Sequence, residues 1–292
     1  MLVQMGALKK GKAIGIVGGV GPYAGLDLTR KIFDHTLAGT DQDHLPVLLA
    51  SLSPIINDRT RYLLQGDVEN PAPSLFHVIK LLDSAGATVA GIPCNTAHAA
   101  RIFSIIEQLI DESGLQIKLL NMISEVTAEI QSRYSNDTKV GVISTLGTYK
   151  TGLYSEYLDK ANIPYILPDE SLAEEIHASI YDPACGIKAH SNPVTQKARH
   201  IVEEAVRTLG QKGANAVILG CTELPIALPG DSLDGITLID PTTILARALV
   251  RETYPDKLKP LSGQYAAVSA RYIDYDNGLF NLESRHAKTY SP

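Results

Sequence analysis

Tryptophan is absent from the 292 residues, and aromatic residues make up only 6%. A surface that stacks exposed nucleobases is therefore not expected. Basic residues are not in excess either: the formal net charge is -6, which argues against non-specific nucleic-acid binding. No apolar run approaches the roughly 18 residues needed to span a bilayer. The opening segment, MLVQMGALKKGK, is too short and too broken for a secretory signal. Cysteine is scarce: Cys94, Cys185 and Cys221 are widely spaced and form no CxxC pair. That excludes a disulfide framework and a cysteine-rich zinc site. A soluble cytoplasmic protein is expected, with no nucleic-acid or membrane partner.

What is present is ordinary globular composition, 45% hydrophobic and 20% charged, in a chain long enough for about two domains. Short runs rich in Val, Ile and Leu at 13–17, 47–51, 88–92, 118–122, 140–144, 216–219 and 237–239 read as buried strands. Amphipathic stretches at 73–83 and 197–209 read as helices between them. Strand–helix alternation predicts parallel sheets covered by helices, an α/β fold.

The chain also repeats itself. Gly15-Ile16-Val17 and Gly21-Pro22-Tyr23 align with Gly141-Val142-Ile143 and Gly147-Thr148-Tyr149 at an offset of 126. Ala85-Gly86-Ala87 and Cys94 align with Lys212-Gly213-Ala214 and Cys221 at an offset of 127. Two similar lobes follow, each with a cysteine just past the carboxyl end of a strand, where open parallel sheets bind ligands. Facing lobes would set Cys94 and Cys221 on opposite walls of one cleft. A helix is expected to start at Cys94, with Asn95 or Thr96 as its cap. Pro225 and Pro229 allow only a short turn after Cys221. Cys185 has no counterpart and reads as structural or incidental.

A thiolate on one side of a substrate carbon and a thiol on the other can remove a proton and return one from the opposite face, with no cofactor. A thiol suits the task because its reference pKa of about 8.5 lies near neutrality. Two other readings are weaker. Gly19-Val20-Gly21-Pro22-Tyr23-Ala24 matches a dinucleotide fingerprint, but Asp41 and Asp43 precede the next strand instead of ending it. Cys94, His98 and Cys221 fit no standard zinc spacing, so no metal is expected.

The segments Gly15-Ile16-Val17-Gly18-Gly19-Val20-Gly21-Pro22, Pro93-Cys94-Asn95-Thr96-Ala97-His98 and Gly220-Cys221-Thr222-Glu223-Leu224-Pro225 resemble the aspartate/glutamate racemase superfamily over about residues 13–250. Glu223, where glutamate racemases usually carry His, and the Gly-Gly-Val-Gly-Pro opening, where they carry Asp-Ser-Gly, resemble the aspartate racemase branch. The resemblance implies two pseudosymmetric lobes, each a parallel sheet flanked by helices, with the active site in the cleft between them. It also implies a crossover. The 118–122 strand joins the second lobe and the tail returns to the first, giving an N-terminal lobe of 1-115 plus 229-292 and a C-terminal lobe of 116-228. A homodimer is implied as well, as is a small acidic amino acid, aspartate or glutamate, as substrate. Arg59, in Asn57-Asp58-Arg59-Thr60, and Lys188 resemble the branch's cations for the side-chain carboxylate. Asn95, Thr96 and Thr222 are candidates for the α-carboxylate and ammonium, with Thr145 and Thr148 assisting. Glu223 stands to orient Cys221, to bind the ammonium, or as a structural carboxylate. His98 is a partner of Cys94 or a satisfied helix histidine. A maleate isomerase-like or hydantoin racemase-like enzyme, or an idle binder of an acidic metabolite, are the alternatives. The tail after Lys259, with Tyr265, Tyr272, Tyr275 and Tyr290, exceeds the resemblance.

Overall fold

The structure is a computed structural model that describes residues 12–135 and 137–261. Most of the opening segment and the four tail tyrosines lie outside the described residues. The first sheet has the order β2-β1-β3-β4, from β1 (Ala13–Gly18), β2 (Val47–Ser51), β3 (Ala87–Gly91) and β4 (Lys118–Leu120), all parallel. The second has the order β6-β5-β7-β9-β8, from β5 (Val140–Ser144), β6 (Tyr165–Ile166), β7 (Ala216–Gly220), β8 (Ser232–Leu233) and β9 (Ile236–Ile239). Only the β8–β9 pair is antiparallel. Strands β1, β5 and β7 are buried along their whole length, as expected of strands covered on both faces. Among the described residues, no helix is long and apolar enough to cross a membrane.

The sequence repeat is expressed in strand register. Gly15 pairs with Ala90 across β1–β3, and Gly141 pairs with Val217 across β5–β7, the same offsets of 126 and 127. A Cβ on Gly15 would stand 3.1 Å from Ala87 Cβ and 3.3 Å from Leu82. A Cβ on Gly141 would stand 2.9 Å from Leu209 and 3.0 Å from Val217. In both copies the bare glycine lets the helix before the next strand lie close on the sheet. Those helices, Ala72–Ser84 and Gln196–Gln211, present the expected apolar faces and run one or two residues longer at each end than their patterns suggest.

The implied crossover needs correcting at the level of strands. The strand at Lys118–Leu120, placed in the 116-228 lobe, pairs with β3 in the first sheet. The strand at Ile236–Ile239, placed with the 229-292 tail, pairs with β7 in the second. Each pairs with the strand it follows: β3 reaches β4 through helix Ala100–Ser113, and β7 reaches β9 through the short helix Leu224–Ala227 and β8. Helices make the exchange instead. Helix Met122–Arg133 leaves β4 and packs on helix Leu153–Lys160 of the second half. Helix Pro241–Thr253 leaves β9 and packs on helix Pro22–Asp34 and on β1, β3 and β4. Asn121 accepts hydrogen bonds from Ile123 and Ser124, and Asp240 from Thr242, so each exchanged helix starts on a side-chain cap. One apolar cluster therefore runs through both halves, from Ile14 and Ile16 through Val126 and Leu249 to Val142 and Ile218.

Candidate active site

Both cysteines lie past the ends of equivalent strands and both are buried, Cys94 at 7% and Cys221 at 6% exposure. The local structure around Cys94 differs from expectation. Residues Asn95–His98 form a 3₁₀ turn, Ala99 is extended, and the α-helix begins only at Ala100. Asn95 and Thr96 do not cap it, because their side chains bond to the second half instead. Asn95 Oδ1 accepts from Tyr154 at 2.5 Å. Thr96 Oγ1 lies 3.1 Å from Thr145 Oγ1 and 2.8 Å from Thr148 Oγ1. After Cys221 only the short helix Leu224–Ala227 forms, as the two prolines require.

Further contacts fasten the two halves around the thiols. Thr222 donates to the carbonyl of Pro93, beside Cys94, at 3.1 Å. Tyr181 donates to Asp58 at 3.0 Å and lies 3.4 Å from Thr60 Oγ1. Gly147 touches the first half so closely that a Cβ there would sit 2.6 Å from Thr60 Oγ1 and 3.1 Å from Thr60 Cα. Gly147→Ala is expected to destabilise the protein by about 1–3 kcal/mol, the cost of overpacking a close contact, as read from denaturant midpoints.

The charges converge on the same place. Arg59 is 6% exposed, donating to the Val20 carbonyl at 2.5 Å and the Asn57 carbonyl at 3.2 Å. Burial works against its charge, but Cys94 beside it, with Tyr181 and Asp58, holds its pKa above the usual value. No carboxylate among the described residues lies within ion-pair distance of it, and its Nε has no partner. Lys188 Nζ donates to Glu223 Oε1 at 2.5 Å and stands 5.4 Å from the Tyr181 ring centre. Cys221 Sγ donates to Glu223 Oε2 at 3.0 Å. Burial, then the Glu223 carboxylate, push the Cys221 thiol well above its ordinary pKa, with Lys188 opposing. Burial alone would raise Glu223, yet Lys188 and the Cys221 bond hold it below the usual carboxylate range. Gly21 is needed here, since a Cβ at that position would come within 2.5 Å of Glu223 Oε1.

The structure thus gathers Cys94, Cys221, Arg59, Asn95, Thr96, Thr145, Thr148, Lys188, Thr222 and Glu223 into one junction. His98 belongs to the 3₁₀ turn. Burial lowers its pKa to about 4, so it is neutral near pH 7. Its Nδ1 therefore donates to the Cys94 carbonyl at 2.9 Å, fixing the cysteine's backbone. Cys185, outside the junction, contributes its carbonyl to Thr195. Sequence reasoning missed Tyr154, Tyr181, Asp58 and Thr60. Asp58 and Thr60 flank Arg59 and so were in view, but only the fold supplies Tyr181 as their partner. Among the described residues, no three His, Cys, Asp or Glu side chains are grouped to hold a metal ion.

Two related sheets, each with a buried cysteine past the end of a strand, are the frame of a protein whose family is one of racemases, a class of isomerases. More particularly, the chain belongs to the Asp/Glu/Hydantoin racemase family, whose profile matches residues 17–249. It is similar in structure to the Picrophilus torridus aspartate racemase, with 29% identity and a TM-score of 0.70 over 85% of this chain and 96% of that one. It shares its fold with the glutamate racemase of Francisella tularensis, at 18% identity and a TM-score of 0.54 over 85% and 82%. Among curated proteins, the Carnobacterium glutamate racemase is 29% identical over 51% of each chain. The chain thus aligns with about half the length of that relative.

Proposed function

We propose that the protein racemises aspartate, with glutamate as the lesser substrate, through Cys94 and Cys221. The observation that carries the reading is a pair of unpartnered buried donors, Arg59 Nε and Asn95 Nδ2, on the residues beside Cys94. Buried donors without acceptors cost free energy, and a substrate carboxylate would satisfy them. Arg59 takes the side-chain carboxylate, and Asn95 with Thr96 and Thr222 takes the α-carboxylate. Lys188 is already neutralised by Glu223, so it sets the potential of the site more than it binds.

In the resting enzyme Cys221 carries its proton, donated to Glu223, which leaves Cys94 as the base. Its thiolate takes the α-hydrogen as a proton, the C–H pair stays on carbon, and Cys221 delivers its own proton to the opposite face. The product is the other enantiomer, with Cys94 now a thiol and Cys221 a thiolate. The reverse reaction restores the start. No cofactor enters this scheme. A homodimer in the cytoplasm is carried over from the family resemblance and the composition.

The test is incubation with L- and D-aspartate in deuterium oxide. Loss of the α-proton signal and decay of optical rotation are expected together, faster with aspartate than with glutamate. Folded protein that exchanges the α-hydrogen of neither amino acid overturns the reading.

A further inference from the structure

A cavity of about 540 Å³ shares no residue with the thiol site. Its volume falls within the range of small-molecule sites. Its lining includes the apolar Leu219, Leu228, Leu238, Ile244 and Leu261. It also includes Arg30, Lys31, His35, Arg133, Arg247 and Lys259, together with the carboxylates Asp34, Glu129, Asp231 and Asp240.

Three of those cations have carboxylates. Arg30 pairs with Asp27 and Asp34, Lys31 with Asp27 and Asp240, and Arg133 with Glu129. Among the described residues, Arg247 and Lys259 have no carboxylate within ion-pair distance. The half-buried Arg247 donates to His35 Nδ1 at 3.3 Å and to the Lys259 carbonyl at 3.1 Å, and Lys259 Nζ donates to the Asp34 carbonyl at 2.8 Å. An arginine can only donate, so His35 Nδ1 accepts and the ring is neutral. Burial and the cations Arg133 and Arg251 press against the Arg247 charge, with Glu129 opposing them. Although carboxylates also line the cavity, the hydrogen-bond partners of Arg247 and Lys259 among the described residues are all neutral, so an anion placed between them would supply the direct ion pair each lacks.

We propose that this cavity binds a small organic anion whose oxyanion head, phosphate or carboxylate, lies between Arg247 and Lys259 and whose apolar body rests on the Leu228 and Ile244 side. Nothing in this assignment depends on the racemase reading. Titration calorimetry on the full chain tests it, with phenyl phosphate, benzoate and inorganic phosphate as probes. Phenyl phosphate or benzoate is expected to saturate a single site, and whichever is tighter identifies the head. Inorganic phosphate, lacking the body, is expected to bind about tenfold more weakly. Arg247→Met is expected to weaken the organic probe by about tenfold or more. Lys259→Met, at a less buried position, carries the same test if Arg247→Met does not fold. Arg59→Met is expected to leave binding unchanged. The proposal is overturned by no saturable binding of either organic probe below about 10 mM. It is equally overturned by full binding in both cavity variants, or by loss of binding in Arg59→Met.

Discussion

Cys94→Ala and Cys221→Ala are each expected to slow aspartate racemisation by about 10²–10⁴-fold, the range for removing a positioned acid or base. The double variant is expected to be little worse than either single one, because the two thiols act as a unit. The diagnostic difference is isotopic. With Cys221 gone, Cys94 can still take a proton from one enantiomer and return a solvent-derived one to the same face. That variant is expected to exchange the α-hydrogen of one enantiomer without inverting it, measured by proton NMR beside polarimetry. Inversion at the parent rate in either single variant would sink the two-thiol scheme. The pH profile carries a second sign. Cys221 acts as acid only below its raised pKa, so activity that needs its proton persists to higher pH than an ordinary thiol allows.

Lys188→Met is expected to cost about 3–5 kcal/mol of stability near neutral pH, since it leaves the Glu223 carboxylate buried without its ion pair. The pH dependence follows from the two partners. Glu223 is held low in the folded protein, so its contribution is fully present above the ordinary glutamate pKa of about 4.3 and is lost as pH falls through the depressed value. Lys188 is held high, mainly by Glu223 against burial, so its contribution is present below about 10.4 and is lost as pH rises through the raised value. The gap between parent and variant is therefore expected to be widest between these limits and to close in acid, as read from urea midpoints across pH. Glu223→Gln is the companion change. It removes a charge that raises Cys221, so the alkaline limb of activity is expected to move to lower pH. An unmoved limb would mean that Glu223 does not govern the thiol.

Much of the site was legible because its residues come in short contiguous runs. Cys94-Asn95-Thr96, Cys221-Thr222-Glu223 and Asp58-Arg59-Thr60 each arrive as a block at the end of one element, so placing the element places the block. The strands were legible from apolar runs bounded by turn residues, and the repeat linked β1 to β5 and β3 to β7. What was not legible depends on long-range pairing. Tyr154 finds Asn95 across 59 positions and Tyr181 finds Asp58 across 123, distances over which sequence spacing carries no geometry. The turn after Cys94 has a composition that suits a helix cap, so the sequence by itself suggests a helix there. Bonds from Asn95 and Thr96 to the other half outweighed that local preference. The sheet that β4 joins is not legible in the sequence, because membership depends on which neighbour offers an open edge, which an apolar run does not encode.

The exchanged helices bear on how the polypeptide comes apart. Each half is packed by a helix whose parent strand belongs to the other half, helix Pro241–Thr253 on the first sheet and helix Met122–Arg133 on helix Leu153–Lys160, like two hands with fingers interlaced. Severing the chain between Arg133 and Lys139 would part each exchanged helix from the half it packs on, so neither fragment is expected to hold its shape alone. Heating the intact molecule should give a single melting step, with both halves lost together.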